Sequence, residues 1–410
     1  MVYIRRDLED TVYKYIGSKE IIAIVGPRQC GKTTLINNIL SSLKEKGKKI
    51  SSVSFDDVKT LRLFEDDIDS FTDLHIKGFD FLFIDEVQYS KDSGKKLKYL
   101  YDNFNIKIFI SGSSAAEISI QSLKYLVGRI FTFVLLPFSF REFLSAKDPA
   151  LMRLYAKGEY KSEIVSRLNK HLKEYILYGG YPRVVLAGSP EEKIIILKNI
   201  FNTYLLREIK DILGLSEDHK LTSLLKALSL QIGNLINYSE LSGITGFSYG
   251  DLKKYANILE KTYISSFVRP FQTNKRIELV KNPKVYFFDL GFRNICIDNF
   301  SEERTDKGAI YENFIFCELI KMDEKPKYWR TKSGAEVDFI LERSGKPLPL
   351  EIKTTLAEDS LTKSFNSFVE KYSPNKGYIV SLEHEGTRRI GNSAIIYLPF
   401  VKILQLRKKR

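Results

Sequence analysis

An α/β fold with a parallel-sheet core of the P-loop NTPase type is predicted by three stretches of this 410-residue sequence. The apolar run Ile21-Ile22-Ala23-Ile24-Val25 leads into Gly26-Pro27-Arg28-Gln29-Cys30-Gly31-Lys32-Thr33 and then a helix-like segment from Thr34 to Leu40. A second apolar run, Phe79 to Ile84, delivers Asp85 and Glu86, and a third, Ile106 to Ile110, ends in Ser111-Gly112-Ser113-Ser114. Near-continuous apolar strands alternating with helical segments are the pattern of a parallel sheet covered on both faces.

Each of these stretches predicts a chemical role. Glycines at 26 and 31 let backbone N–H groups turn inward around a phosphate, and the helix N-terminus behind them adds its positive dipole end. Residues 26–31 offer mainly backbone; Lys32 is placed to reach the β- and γ-phosphates of ATP, Thr33 to ligate Mg²⁺, and Thr34 opens the helix. The strand ending in Asp85-Glu86 has the Walker B pattern: Asp85 positions Mg²⁺ and Glu86 polarises the attacking water. Ser111, at the tip of the next strand, has two readings, a γ-phosphate sensor or the cap of a helix starting near Ala115.

Composition narrows the class further. A formal charge of +13 and a pI near 9.2 favour a polyanionic partner, nucleic acid and DNA first. Cys30, Cys296 and Cys317 have neither metal-ligand spacing nor a disulfide pattern, which fits a reducing cytoplasm. No apolar run approaches the roughly 18–20 residues needed to cross a bilayer, so no membrane is expected. The first residues lack the apolar core of a signal peptide. Abundant Lys, Glu and Ile beside scarce Gln lean toward a heat-adapted source.

From Gly128-Arg129 the chain runs through a strand, Ile130 to Leu136, into Leu136-Pro137-Phe138-Ser139-Phe140-Arg141-Glu142-Phe143. Together with the P-loop, Ile84-Asp85-Glu86-Val87-Gln88 and Ser111 to Ser114, this resembles the AAA+-type core of prokaryotic and archaeal ATPases that carry a DUF4143 C-terminal region. The resemblance spans almost the whole chain. It implies that Arg129 acts as an arginine finger on a neighbouring subunit's nucleotide in a homo-oligomer; a surface or intramolecular arginine is the equal alternative. Tyr178-Gly179-Gly180-Tyr181-Pro182 resembles the Gly-x-Pro lid signature of related signal-transduction ATPases, which implies that Pro182 packs near the adenine ring, with Arg183 near the phosphates. A plain helix break remains open there.

The expected domains are 1–150, the ATPase core; 151–222, a helical lid; 223–295, a winged-helix-like unit; and 296–410, the DUF4143-type domain. In the third, a helix start at Ser239, Ser248 before a second helix, and a strand from Tyr263 form the winged-helix pattern. Lys253 and Lys254 are offset by Asp251 and Glu260, so a packing role is favoured over a DNA-reading helix.

The last third holds a second set of carboxylates. Glu312 lies in a helix-like stretch, Glu336-Val337-Asp338 opens a strand, and after a Gly-Pro turn come Glu351-Ile352-Lys353. The i, i+2 spacing puts Glu351 and Lys353 on one strand face. Asp338 and Glu351 are placed to share a divalent ion, Mg²⁺ or Mn²⁺, with Lys353 steadying the attacking water. The ordered set resembles the PD-(D/E)xK nuclease core, a restriction-endonuclease-like α/β fold, with Glu312 as a further acid; the alternative keeps the fold without the chemistry. Glu336 and Glu342 are expected on the other face or in solvent.

The sequence as a whole predicts a cytoplasmic Mg-ATPase that couples ATP binding and hydrolysis to nucleic-acid processing. Its rivals are a nucleotide-dependent protein–protein switch with a silent nuclease fold, and a ring-shaped DNA motor.

Overall fold

Alternate residues of the apolar strands face opposite ways, and both sets are buried in the computed structural model. It describes residues 3–112, 123–158, 160–203, 209, 212, 218–274, 276, 278, 281–343, 345–354 and 361–406. Strand β1 (Ile21–Val25) sends Ile21, Ala23 and Val25 into one core and Ile22 and Ile24 into another. Strands β2 (Ile50–Ser54), β3 (Phe81–Asp85), β4 (Lys107–Gly112) and β5 (Ile130–Val134) complete a sheet of order β2-β3-β4-β1-β5, every neighbouring pair parallel. Burial on both faces of β1, β3 and β4 explains why these strands read as continuous apolar runs rather than alternating ones.

The order matters for the site. Strand β4 is inserted between β1 and β3, so the ends of the P-loop strand, the Walker B strand and the Ser111 strand come out side by side on one edge. That edge, where neighbouring connections leave in opposite directions, is where open α/β sheets bind ligands. The acidic stretch after β2 is more ordered than its polarity indicates. Asp57 caps the helix Val58–Asp66 through Lys59 and Thr60, and Asp67 caps Ile68–His75 through Ser70.

The structure divides into two compact units. The first comprises Met1–Phe138 with Tyr181–Arg183 and Lys261–Tyr263, and the second comprises Ser139–Gly180, Val184–Glu260 and Ile264–Arg410. In the second, helices Asp218–Leu230, Tyr238–Thr245 and Tyr249–Lys261 precede the ribbon of β6 (Ser265–Val268) and β7 (Lys284–Phe287). These elements follow one another in the expected order, with Asn237 rather than Ser239 capping the middle helix.

A six-stranded mixed sheet follows, β8 (Lys327–Arg330), β9 (Glu336–Arg343), β10 (Lys346–Lys353), β11 (Lys376–Ser381), β12 (Gly386–Ile390) and β13 (Ser393–Pro399). Its order is β12-β13-β11-β10-β9-β8. Helix Lys363–Tyr372 packs Phe365, Phe368 and Val369 against Trp329, Val337, Ile340 and Ile379 of this sheet. No helix among the described residues is long and apolar enough to cross a membrane.

Candidate nucleotide site and a buried carboxylate cluster

The loop from Gly26 to Gly31 adopts the conformation its glycines allow. Gly26 has φ 148° and Gly31 φ 94°. A Cβ on Gly26 would lie 2.1 Å from the Leu135 carbonyl oxygen, so no other residue fits there. Helix Lys32–Glu45 starts directly behind. Lys32 is 6% exposed, and its Nζ donates to the carbonyls of Gly26 (3.1 Å) and Pro27 (2.8 Å), bending back over the loop it serves. Cys30 is fully buried, donates to the Leu135 carbonyl at 3.1 Å, and burial pushes its thiol pKa up, so it is no reactive thiolate.

Asp85 is the centre of the site. Its Oδ2 accepts from Thr33 Oγ1 at 2.8 Å, its Oδ1 from the Ser111 hydroxyl, and Oδ1 also from the Glu86 N–H at 3.1 Å. Glu86 is a non-glycine residue with φ 53°, and its carboxylate accepts from the Gln88 amide. Left-handed backbone at a charged residue is costly and recurs at functional sites. The hydroxyl of Ser111 is therefore committed to Asp85. The helix near Ala115 that it was alternatively to cap lies outside the described residues, as do Ser113 and Ser114.

Two further expectations have definite places. Arg129 precedes β5 at the opposite end of the sheet: its carbonyl accepts from Ile21 N–H at 2.8 Å, four residues before Val25, roughly 13 Å along the strand from the P-loop. Its guanidinium pairs with Asp102 at 2.9 Å and lies over the Tyr101 ring. Within its own chain Arg129 is thus an intramolecular partner, not a member of the phosphate site. Pro182 opens a short helix in the same compact unit as the P-loop, its Cγ 3.9 Å from where a Cβ of Gly31 would stand; Arg183 is exposed.

Sequence reasoning missed Arg6. It is 4% exposed, donates to the carbonyls of Cys30 (2.8 Å) and Leu136 (2.6 Å), and stacks over Phe138. It ties the back of the P-loop to the segment after β5. Nothing in its local sequence, a basic pair near the chain start, distinguishes it from a surface arginine.

Residues 18–144 match an AAA domain family, and residues 307–401 match a domain family of unknown function, DUF4143. The chain carries an AAA-type P-loop ATPase domain followed by a DUF4143 domain. Between them, residues 169–303 match a further family of unknown function, DUF8612. An uncharacterized protein of Haemophilus influenzae is 28% identical over 83% of this chain and 84% of its own length. One of Methanocaldococcus jannaschii is 26% identical over 84% and 76%. Among solved structures, a Walker-type ATPase of Pyrococcus abyssi aligns with a TM-score of 0.43 and 14% identity, over 72% of this chain and 96% of that one.

In the AAA domain the donor set fits the group its fold implies: a threonine hydroxyl and a carboxylate for Mg²⁺, and a lysine with a glycine cradle for phosphate. The DUF4143 domain differs. Helix Lys307–Lys321 supplies Glu312, and β9 and β10 pair antiparallel with Phe339 opposite Leu350, which brings Asp338 level with Glu351. Asp338 Oδ2 accepts the Ile352 N–H at 2.7 Å. Glu351 Oε1 accepts from Lys353 at 2.9 Å and from Thr362 at 3.3 Å, while its buried Oε2 has no hydrogen-bond partner. All four predicted residues do converge.

They converge around a residue that the motif did not contain. Lys284, 1% exposed at the start of β7, pairs with Glu312 at 3.2 Å and with Glu336 at 2.5 Å. The Tyr286 hydroxyl also donates to Glu312. Glu336 therefore faces the cluster and not the far side, because it shares its strand face with Asp338 two residues on. Glu342 is instead exposed and paired with Lys327 at 2.7 Å.

Burial raises the carboxyls of Glu312 to about 7 and of Glu351 to about 8, and also lifts Asp338. Burial works against the charge of Lys284, and the carboxylates of Glu312, Asp338 and Glu336 more than overcome it. Among the described residues no three His, Cys, Asp or Glu are gathered as a metal site. The expected divalent ion at Asp338 and Glu351 does not fit this charge arrangement.

Proposed function

We propose that this chain hydrolyses ATP in a Mg²⁺-dependent reaction at the P-loop and couples its nucleotide state to nucleic-acid binding, DNA in particular. The observation that carries the hydrolytic part is the convergence of Thr33 and Ser111 on Asp85, with Glu86 next in the chain. Two strands and the first turn of the helix behind the P-loop deliver these groups to one sheet edge, and structural packing alone has no need of two hydroxyls on one carboxylate.

In this reading the triphosphate lies along the N–H groups of residues 26–33, and Lys32 exchanges its two loop carbonyls for phosphate oxygens. Thr33 and Asp85 would hold the Mg²⁺, which neutralises charge on the phosphate oxygens when bound. Glu86 accepts a proton from the attacking water as its oxygen bonds to the γ-phosphorus and the bond to the β-bridging oxygen breaks, giving ADP and phosphate. Ser111 keeps Asp85 oriented. Gln88 holds the Glu86 carboxylate in place until water arrives.

Support for the nucleic-acid partner is the +13 charge, which lowers the cost of approaching a polyanion at every ionic strength short of full screening. ATP turnover measured with and without double-stranded DNA, single-stranded DNA and RNA tests this coupling. Stimulation by one of them supports it; identical turnover with all three sinks it while leaving the ATPase itself standing.

One observation favours a second reading, a nucleotide-driven switch in which the nuclease-like fold is a docking module. Lys284 engages Glu312 and Glu336, beside the Asp338 and Glu351 that a nuclease would offer to metal. Under this reading Asp338→Ala changes neither DNA binding nor DNA cleavage, and no cleavage is seen with Mg²⁺ or Mn²⁺ on linear, branched or single-stranded substrates.

A further inference from the structure

We infer that the Lys284 ammonium is the resident cation of the carboxylate cluster in the DUF4143 domain, supplying from within the positive charge that a nuclease-like fold draws from a divalent ion. This does not rest on the ATPase reading, since it uses residues 284–362 alone.

The geometry is that of a charge-filled site. Lys284 enters from β7, Glu312 from helix Lys307–Lys321, Glu336 and Asp338 from β9, and Glu351 and Lys353 from β10. Its Nζ is within 3.2 Å of Glu312 and 2.5 Å of Glu336, and it lies over the face of Tyr328, 5.9 Å from the ring centroid. Arg330 takes the other Glu336 oxygen at 3.1 Å. Lys353 supplies the second ammonium, at 2.9 Å from Glu351.

A divalent ion would find each of three carboxylates already engaged through one oxygen. Glu312 Oε1 is shared by Lys284 and Tyr286, Asp338 Oδ2 is committed to the Ile352 N–H, and Glu351 Oε1 to Lys353 and Thr362. Glu351 Oε2 is the one buried oxygen of the cluster without a hydrogen-bond partner. Magnesium requires near-octahedral oxygen ligation and completes it with water or phosphate, yet Glu351 is 3% exposed and the Glu312 side chain 14%. A primary ammonium instead satisfies two carboxylates directly and needs no open face. The consequence is a joint: Lys284 ties the β6–β7 ribbon to the helix Lys307–Lys321 and to β9, where a metal would have tied β9 to β10.

Counting bound Mn²⁺ by electron paramagnetic resonance on the nucleotide-free full chain tests the assignment. Wild type and Asp338→Asn should bind the same number of ions up to millimolar Mn²⁺. Lys284→Met should gain one ion per chain, and the gain should vanish in Lys284→Met with Asp338→Asn; Lys284→Arg, which keeps the charge, should gain none. An ion bound by wild type and lost in Asp338→Asn overturns the inference, as does a folded Lys284→Met chain that gains nothing. Should Lys284→Met not fold, the comparison of wild type with Asp338→Asn still decides it.

Discussion

The hydroxyl of Thr33 donates to Oδ2 of Asp85 across 2.8 Å, although 52 residues separate them in the chain. This bond joins the end of the P-loop to the Walker B strand and leaves the hydroxyl of Ser111 to hold the other Asp85 oxygen. Around it the roles of the neighbouring residues can be separated by substitution.

Lys32→Ala should lower ATP turnover by roughly 10²–10³-fold or more, the loss seen when a single well-placed donor to transition-state charge is removed. Steady-state phosphate release is the measurement. Full turnover in this variant means that the phosphate clamp has been misassigned.

Glu86→Gln should separate binding from chemistry. Removing a positioned general base costs roughly 10²–10⁴-fold in rate, whereas no phosphate-holding donor is lost. Nucleotide affinity measured by fluorescence titration should stay within a few-fold of wild type while turnover collapses. Equal losses in both would assign Glu86 to binding.

Arg129 offers a test of assembly. Its pair with Asp102 is partly exposed, with side chains 32% and 39% accessible, so breaking it costs little, on the order of 0.2–1 kcal/mol. If subunits share sites, mixing Lys32→Ala with Arg129→Ala chains should restore part of the ATPase that each lacks alone. No recovery from two inactive parents confines Arg129 to its pairing with Asp102.

Lys284→Met should destabilise the chain strongly, because it strands Glu312 and Glu336 around a lost partner. Removing one member of a buried ion pair costs about 3–5 kcal/mol, which lowers the melting temperature by about 10 °C or more in a unit of this size. Lys284→Arg should recover part of that loss. A melting temperature unchanged by Lys284→Met contradicts the buried pairing.

The same cluster sets a pH dependence. Burial, with Asp338 beside it, raises the Glu351 carboxyl from 4.5 to about 8, and burial takes Glu312 to about 7. Across that interval the folded state holds more protons than the unfolded state. Their contribution is therefore fully present below about pH 4.5 and is lost as the pH rises towards 7–8. Melting curves from about pH 5 to pH 8 should show Glu351→Gln declining less steeply than wild type; parallel declines would falsify the assignment.

Short motifs carry their chemistry in adjacent residues, and these were legible without coordinates. The glycines at 26 and 31, Lys32-Thr33 and Asp85-Glu86 announce themselves because phosphate and metal chemistry needs them at fixed local spacing. The parallel sheet was equally readable, since strands buried on both faces must be apolar throughout. The helix bearing Glu312 and the hairpin bearing Asp338, Glu351 and Lys353 also follow from spacing and period.

Which charged groups meet was decided by tertiary structure alone. Insertion of β4 between β1 and β3 gives Ser111 to Asp85, and Asp102 holds Arg129 from 27 residues upstream. The strand Lys284-Val285-Tyr286-Phe287 carried one local sign, a lysine and a tyrosine two apart in an apolar run. It did not say that their face would meet Glu312 and Glu336. A buried charge must find its counter-charge wherever packing places it, and no sequence period records that distance. The sequence by itself thus determined the nucleotide loop, its acids and the α/β framework; the tertiary fold decided that the second carboxylate cluster is neutralised from within by Lys284.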